Sequence, residues 1–278
     1  MSIRTRMLFP AWFLLVLMVP LQGQNPPPVA RVGDDGVFVR VLVTDPLNRY
    51  ITGLEKEHFT VFEDNVRQTI NFFAQQSAPL TLGVVFNQVG SMRGGLAAAR
   101  QTLDGLAKSQ RSADAYFMIS VDGKASKVEN FGSNPVARTD FVIDEYNLRT
   151  PMEQVVAFAI GQIRNQNNEK KALVIITDGQ VSSTMPDIQV YSIRGRYSRP
   201  ADDSKEVVRT FFPTSSADLD HYLTLIQDEL LNQYILGYSP TNREQDGKWR
   251  KIKVKLDPPK GLPKLTVNAS DGYTAPGK

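Results

Sequence analysis

Two sets of residues in this chain have types and positions suited to chemistry, and both stand at the ends of apolar runs. In "LGVVFNQVGSM", residues 82–92, Asn87 and Ser91 follow a continuous apolar stretch. In "ALVIITDG", residues 172–179, Asp178 does the same. Oxygen-bearing side chains at strand ends suit three tasks. They can hold a hard cation, contact a partner, or bond the local backbone and cap the following helix. Residue type alone leaves all three open, because Asn, Gly and Ser are favoured in any strand-to-helix turn.

Other chemistries are easier to exclude. The chain has no cysteine, which removes disulfides, thiolate zinc sites and cysteine nucleophiles. Its two histidines are His58, beside Phe59 in a β-rich stretch, and His221, between Asp220 and Tyr222 on a helical stretch. No Gly-x-Ser-x-Gly elbow exists to pair with either, so a Ser-His-Asp hydrolase is disfavoured. "VGSMRGG" lacks both the Gly-x-Gly-x-x-Gly spacing and the Walker lysine, so nucleotide binding is unsupported. Asn268-Ala269-Ser270 fits a glycosylation sequon, a tripeptide that also arises by chance.

The 278 residues, 41% apolar and 22% charged, are those of an ordinary globular chain with ample core. Residues 1–23 place Arg4 and Arg6 before an apolar run from Met7 to Leu21 and end at the small Gly23. That order is the order of a secretory signal peptide. A spanning helix needs roughly 20 apolar residues, and this shorter run contains Pro10 and Pro20. A secreted or periplasmic location is therefore expected, with no membrane span after cleavage and an uncleaved anchor as the alternative. The formal charge of +3 falls to near +1 when Arg4 and Arg6 leave with the segment, so a nucleic-acid partner has no electrostatic footprint.

The elements that must position the strand-end residues follow from periodicity. Residues 24–36 are Pro- and Gly-rich and predict a linker. "VFVRVLVTD" alternates like a half-buried strand, and "HFTVFEDNVRQTINFF" predicts two strands around an Asp-Asn turn. From Leu80 the period changes. "LTLGVVF", "AYFMISVD", "KALVIITDG" and "IQVYSIR" are apolar runs expected of strands covered on both faces. Between them lie helical stripes: Leu96, Ala99, Leu103 and Leu106, then Met152, Val155, Val156, Ala159, Ile160 and Ile163. A third carries Leu219, Tyr222, Leu223, Ile226 and Leu230, with Ser215 or Ser216 as its cap. "QYILGYSP", "KWRKIKVKL" and "KLTVNAS" then return to strand patterns. The alternation predicts an α/β fold with a doubly wound, mostly parallel sheet. The flanking β ends, residues 37–79 and 234–275, are expected to pair into one small β-sandwich-like module beside the central residues 80–233. In "KWRKIKVKLDPPK" the lysines take one face, with Trp249, Ile252, Val254 and Leu256 mostly on the other, the pattern of a solvated strand that protects a sheet edge. An anionic surface or lipid headgroup is the functional alternative.

Four stretches, in order, resemble the von Willebrand factor type A fold in its exported bacterial form with flanking β segments. "VTDPLNRYITGLEKEHFTVFEDNVRQTINFF" is similar to the leading block of that group, "LGVVFNQVGSMRG" to its first core strand and metal turn, "ALVIITDG" to its fourth strand, and "NQYILGYSP…DGKWRKIKVKL" to its trailing block. The resemblance covers roughly residues 36–275. It implies a site at the carboxyl ends of the sheet strands, the metal-ion-dependent adhesion site. There an Asp-x-Ser-x-Ser turn, a threonine and a later aspartate surround magnesium or manganese, and a partner's carboxylate completes the coordination.

Carried over by position, Asn87 stands where the first aspartate would be and Val89 where the first serine would be. Ser91 matches the second serine, Thr150 is the candidate threonine with Arg149 before it, and Asp178 matches the aspartate, with Gln180 where many members carry another acid. Magnesium takes about six oxygen ligands and favours carboxylates. Asn87 offers a carbonyl oxygen without charge and Val89 offers nothing, so the implied site is degenerate. The expected function is an exported, non-enzymatic protein-binding or scaffolding module that needs no cofactor. It would contact another protein through Asn87, Ser91, Arg149, Thr150 and Asp178, with Arg149 able to pair directly with a carboxylate. The alternative retains magnesium or manganese through Ser91, Thr150 and Asp178 for adhesion, and a hydrolase of unknown type is the second alternative. Between Ile193 and Val207 the chain is short and polar where the group has a longer run, which leaves open a partner surface or a compact loop.

Overall fold

The computed structural model describes residues 31–33, 36–88, 95–108, 113–122, 126–132, 134–135, 152–178, 188–195 and 208–277. Its centre is a six-stranded sheet made of β6 (Leu80–Asn87), β7 (Ala115–Val121), β8 (Ser126–Phe131), β9 (Lys170–Thr177), β10 (Gln189–Arg194) and β11 (Arg209–Phe211). The spatial order is β11-β10-β9-β6-β7-β8. All neighbours are parallel except β8, which runs antiparallel to β7.

Strand composition explains the parallel pairing. β7 and β10 are buried along their whole length, and β6 and β9 nearly so, which requires cover on both faces. The helices α1 (Leu96–Lys108) and α3 (Ser216–Asn232) cover one face. There Leu82, Val84 and Phe86 of β6 meet Leu103 and Leu106 of α1 and Leu223 and Ile226 of α3. The helix α2 (Met152–Arg164) covers the other, where Val85 and Phe117 meet Val155, Ala159 and Ile163. On this face Gly83 lets the helix approach, since a Cβ there would lie 2.6 Å from the Phe117 ring and 3.2 Å from Ile163 Cδ1. Both predicted helix stripes in residues 96–106 and 152–163 point into these layers, with Leu96, Met152 and Val156 only partly buried. The void lined by Leu82, Leu103, Leu223, Ile226 and their neighbours is about 10 Å³, room for no more than a water. It is not a ligand cavity.

Ser215, not Ser216, caps α3. Its Oγ accepts from Asp218 N at 3.2 Å, and the Asp218 carboxylate accepts from Ser215 N at 3.1 Å, a reciprocal capping box. Hydrogen bonds from Thr214, then from Ser215, hold the Asp218 carboxyl below its usual range. Ser215→Ala is expected to cost about 1 kcal/mol in urea unfolding, and Ser215→Gly only a few tenths.

The remaining strands form two antiparallel sheets, each drawn from both ends of the chain. One joins β1 (Arg31–Gly33), β2 (Gly36–Thr44), β5 (Ile70–Ala74), β12 (Tyr234–Tyr238) and β14 (Thr266–Ala269). The other has the order β15-β13-β3-β4, from β3 (Phe59–Glu63), β4 (Val66–Gln68), β13 (Trp249–Leu256) and β15 (Gly272–Thr274). One apolar cluster draws on both sheets, including Val39 and Leu236 from the first and Val61 and Ile252 from the second. Within it, Glu63 accepts hydrogen bonds from Tyr238 at 2.7 Å and Tyr273 at 2.9 Å, and burial pushes both phenols up.

The stretch 58–73 holds three strands rather than two. β3 and β4 form a hairpin whose turn residues, Asp64 and Asn65, have φ of 47° and 68°, and β5 leaves for the other sheet after Thr69. β13 also differs from expectation. Its inward residues are Arg250, Ile252, Val254 and Leu256, while Trp249 stands out with the lysines.

Among the described residues no helix is long and apolar enough to cross a membrane. Residues 1–23 and the short polar stretch 196–207 lie outside the described residues.

Candidate functional site

The strand order fixes where a site can lie. From β6 the chain proceeds to β7 and β8 on one side, then crosses to β9 and continues to β10 and β11 on the other. The order reverses between β6 and β9. In open α/β sheets this reversal leaves a crevice at the carboxyl ends of the two strands, because the loops after them diverge to opposite sides.

Asn87 ends β6 and Thr177 ends β9, so both stand at the crevice. Asn87 shares the α2 face with Val85, and Thr177 shares it with Ile175. The Asn87 Nδ2 donates to Thr177 Oγ1 at 3.3 Å. Asp178 follows directly and is half-buried. On the β7 side Gln88 N donates to Val121 O at 2.7 Å, which holds the chain beyond β6 against its neighbour.

Sequence reasoning named Asn87 and Asp178 and missed two residues that the sheet places beside them. Thr177 is one. Arg194 is the other: it ends β10, its Cα is in register with Thr177, and alternation from Val190 puts it on the same α2 face. It is 3% exposed, and its guanidinium lies 5.7 Å from the Phe212 ring centre. The signal available was its position, for it closes an apolar run just as Asn87 does. Ser91, Arg149 and Thr150 lie outside the described residues, as do Val89 and Gln180.

The described part of the donor set is by itself incomplete for a divalent cation. It supplies one carboxylate, Asp178, and an amide whose nitrogen faces a hydroxyl, with a buried arginine on the next strand. Among the described residues no group of three or more Asp, Glu or His could hold a metal. The histidines serve local structure: His58 Nδ1 accepts from Glu55 N at 2.9 Å in a short 3-10 turn, and the His221 ring lies 5.7 Å from that of Tyr222.

The amino ends of the same strands are also polar, and there the first antiparallel sheet is attached. Lys170, the first residue of β9, is fully buried and donates from Nζ to Gln76 O at 3.1 Å, on the segment that leads from β5 into β6. Asp114, just before β7, accepts from Leu80 N at 2.8 Å and from the Tyr116 hydroxyl at 2.7 Å. Gln233, the single residue between α3 and β12, donates to Gln189 Oε1 at 2.8 Å, and Gln189 donates in turn to the Tyr191 hydroxyl. Tyr191 donates to Glu229 at 3.2 Å, and the Glu229 carboxylate also pairs with Arg209. Arg40 of β2 lies 5.9 Å from the Tyr191 ring centre, which brings the first antiparallel sheet onto this cluster. These attachments lie at the end of the parallel sheet opposite the crevice.

The chain is thus a mixed α/β protein with a six-stranded, mostly parallel sheet, three helices among the described residues and two antiparallel sheets. No protein-family profile matches it, and no curated protein does. Solved structures with a weak structural similarity include the proximal thread matrix protein 1 of the mussel byssus, at 12% identity and a TM-score of 0.35, over 55% of this chain and 48% of that one. The pilus adhesin SpaC of Lactobacillus rhamnosus GG, in an open conformation, matches at 9% identity and a TM-score of 0.34, over 91% of this chain and 56% of that one. The manganese-loaded TRAP protein of Plasmodium vivax matches at 11% identity and a TM-score of 0.31, over 77% of this chain and 97% of that one. The chain spans about half the length of the first two, 48% and 56%.

Proposed function

We propose that this chain is an exported protein-binding module of the von Willebrand A type that captures its partner at the crevice between β6 and β9, without metal and without turnover. The observation that carries this reading is the coincidence of the strand-order reversal with the polar strand ends Asn87, Thr177 and Asp178. A crevice with hydrogen-bonding groups and one carboxylate suits a polar segment of another protein. The attachment of the first antiparallel sheet at the amino ends supports it, because that leaves the carboxyl ends to a partner. Ser91, Arg149 and Thr150 belong to the same proposed contact through the sequence resemblance. Export rests on the pattern of residues 1–23.

The test is partner capture by the purified protein in EDTA, with Asn87→Ala and Asp178→Ala beside the wild type. Loss of one charge-assisted contact is expected to lower capture by about tenfold or more at an unchanged melting temperature. Undiminished capture by both variants would move the site elsewhere. Hydrolase and nucleotide-turnover assays on the same samples check the non-enzymatic part, and turnover abolished by Ser91→Ala would overturn it.

A further inference from the structure

The outer face of the β15-β13-β3-β4 sheet carries a feature that the crevice does not explain. Its inner face packs into the apolar cluster through Val61, Ile252 and Tyr273. By alternation and register, the outward positions are Gly272 and Thr274 on β15, Trp249, Lys251, Lys253 and Lys255 on β13, Thr60 and Phe62 on β3, and Arg67 on β4. Four of these are cations, two are aromatic and none is a carboxylate. The three lysines and Arg67 are exposed, and Trp249 is 54% exposed. Among the described residues none of the four cations forms an ion pair, whereas Lys248 and Arg250 at the neighbouring turn both pair with Asp246. Acids stand only at the margins of the face: Asp64 at the β3–β4 turn, whose Oδ1 accepts from Lys251 N at 2.9 Å, Asp257 just after β13 and Asp271 just before β15.

Edge protection covers only part of the pattern: β15 pairs with β13 at Trp249–Lys251 alone, so Lys253 and Lys255 stand beyond the reach of β15, whereas Lys251 is left unexplained by it. In line with the lysines, the half-exposed Trp249 indole lies over Gly272, where a Cβ would stand 2.5 Å from Cζ2. The lysines repeat about every 7 Å along the strand, with Phe62 and Arg67 on the next two strands about 5 and 10 Å away. Lys255 already lays its ammonium 4.8 Å from the Phe62 ring centre, so the long lysine stems lie along aromatic surface while their heads stay wet.

We infer that this face docks onto an anionic lipid bilayer. The ammonium groups are compact point charges suited to headgroup phosphates, and an exposed tryptophan among lysines is the composition of a membrane interface. The spread of these groups over three adjacent strands favours a bilayer over a linear polyanion, since a polymer is tracked along a groove. The contact is peripheral. It lies on a different sheet from the crevice and is independent of the protein partner proposed there.

The experiment is sedimentation of the full chain with phosphatidylcholine vesicles, with and without phosphatidylglycerol. The apolar run of residues 7–21, with Arg4 and Arg6 before it, is expected to bind vesicles by itself, so the readout is the anionic preference of the wild type against that of the sheet variants below. The wild type is expected to prefer anionic vesicles and to lose the preference in high salt. Each lysine contributes about fivefold, so the Lys251→Gln, Lys253→Gln, Lys255→Gln variant is expected to bind anionic vesicles roughly 100-fold more weakly. Its melting temperature should be unchanged, because the three side chains are exposed. Trp249→Ala is expected to weaken binding at every salt concentration. Equal binding to both vesicle types, binding to neither, or a triple variant that binds like the wild type would overturn the inference. So would polyphosphate in solution captured in preference to vesicles.

Discussion

Glu229→Ala is expected to lower the unfolding free energy by about 3–5 kcal/mol, the usual cost of removing one partner from a buried ion pair. Glu229 is 7% exposed and Arg209 6% exposed, so solvent does little to screen either. The Glu229 carboxylate answers to two guanidinium groups. It pairs directly with Arg209, and it accepts from Tyr191, whose ring lies under Arg40. Burial lowers the pKa of Arg40, with Tyr191 and Glu229 acting in the opposite direction, and burial pushes the Tyr191 phenol up. Without the carboxylate, two cations share a pocket with no anion. Urea unfolding measures the effect, and a loss below about 1 kcal/mol would mean that the pair is not a net contributor. Glu229→Leu with Arg209→Met should recover only part of the loss, because the apolar pair removes two desolvation penalties while the buried Arg40 still lacks the carboxylate. Hydrogen exchange adds a local readout. The relay from Gln233 through Gln189 and Tyr191 to Glu229 ties the end of α3 to the start of β12, so amides there should exchange first in the single variant.

That cluster was illegible in the sequence for a physical reason. Lys170, Gln189 and Arg209 open their strands, and a polar residue at a strand start is ordinarily solvated. Only the docking of β2 and β12 across the amino ends buries them, and that depends on pairings between residues nearly two hundred positions apart, such as Tyr234 with Val41. The layers of the parallel sheet were legible because their signal is local: continuous apolar runs for β6, β7, β9 and β10, and stripes of three and four for the helices. β8 escaped because "SKVENF" is half-exposed, mixes charge with apolar groups and shows no clean alternation. In the crevice, Asn87 and Asp178 were legible as polar endings of apolar runs. Thr177 was not, because threonine is at home inside a strand. Arg194 was not, because a terminal arginine reads as a solvent contact until register sets it beside Thr177.

The second large effect concerns the metal. The Asn87→Asp, Val89→Ser double variant is expected to gain about 2.7 kcal/mol of stability with manganese at roughly 100 times its dissociation constant, and the wild type is expected to gain none. For a chain of this size the gain corresponds to a rise of several degrees in melting temperature over the EDTA control. The asymmetry follows from the donor count. In the wild type the two crevice strands β6 and β9 end in one carboxylate, Asp178, while Asn87 contributes a neutral amide directed at Thr177. An aspartate at position 87 supplies a second carboxylate at the same strand end, and a serine at position 89 supplies the hydroxyl that valine lacks. The buried Arg194 on the adjacent strand works against the cation in both forms, so a gain in the variant measures ligand chemistry against a fixed positive background. A manganese-dependent rise in the wild type would overturn the metal-free reading of the crevice and favour metal-bridged capture through Asp178. If neither form responds, position 87 is not at a cation site, and the crevice reading would then rest on the Asn87→Ala and Asp178→Ala capture experiment alone.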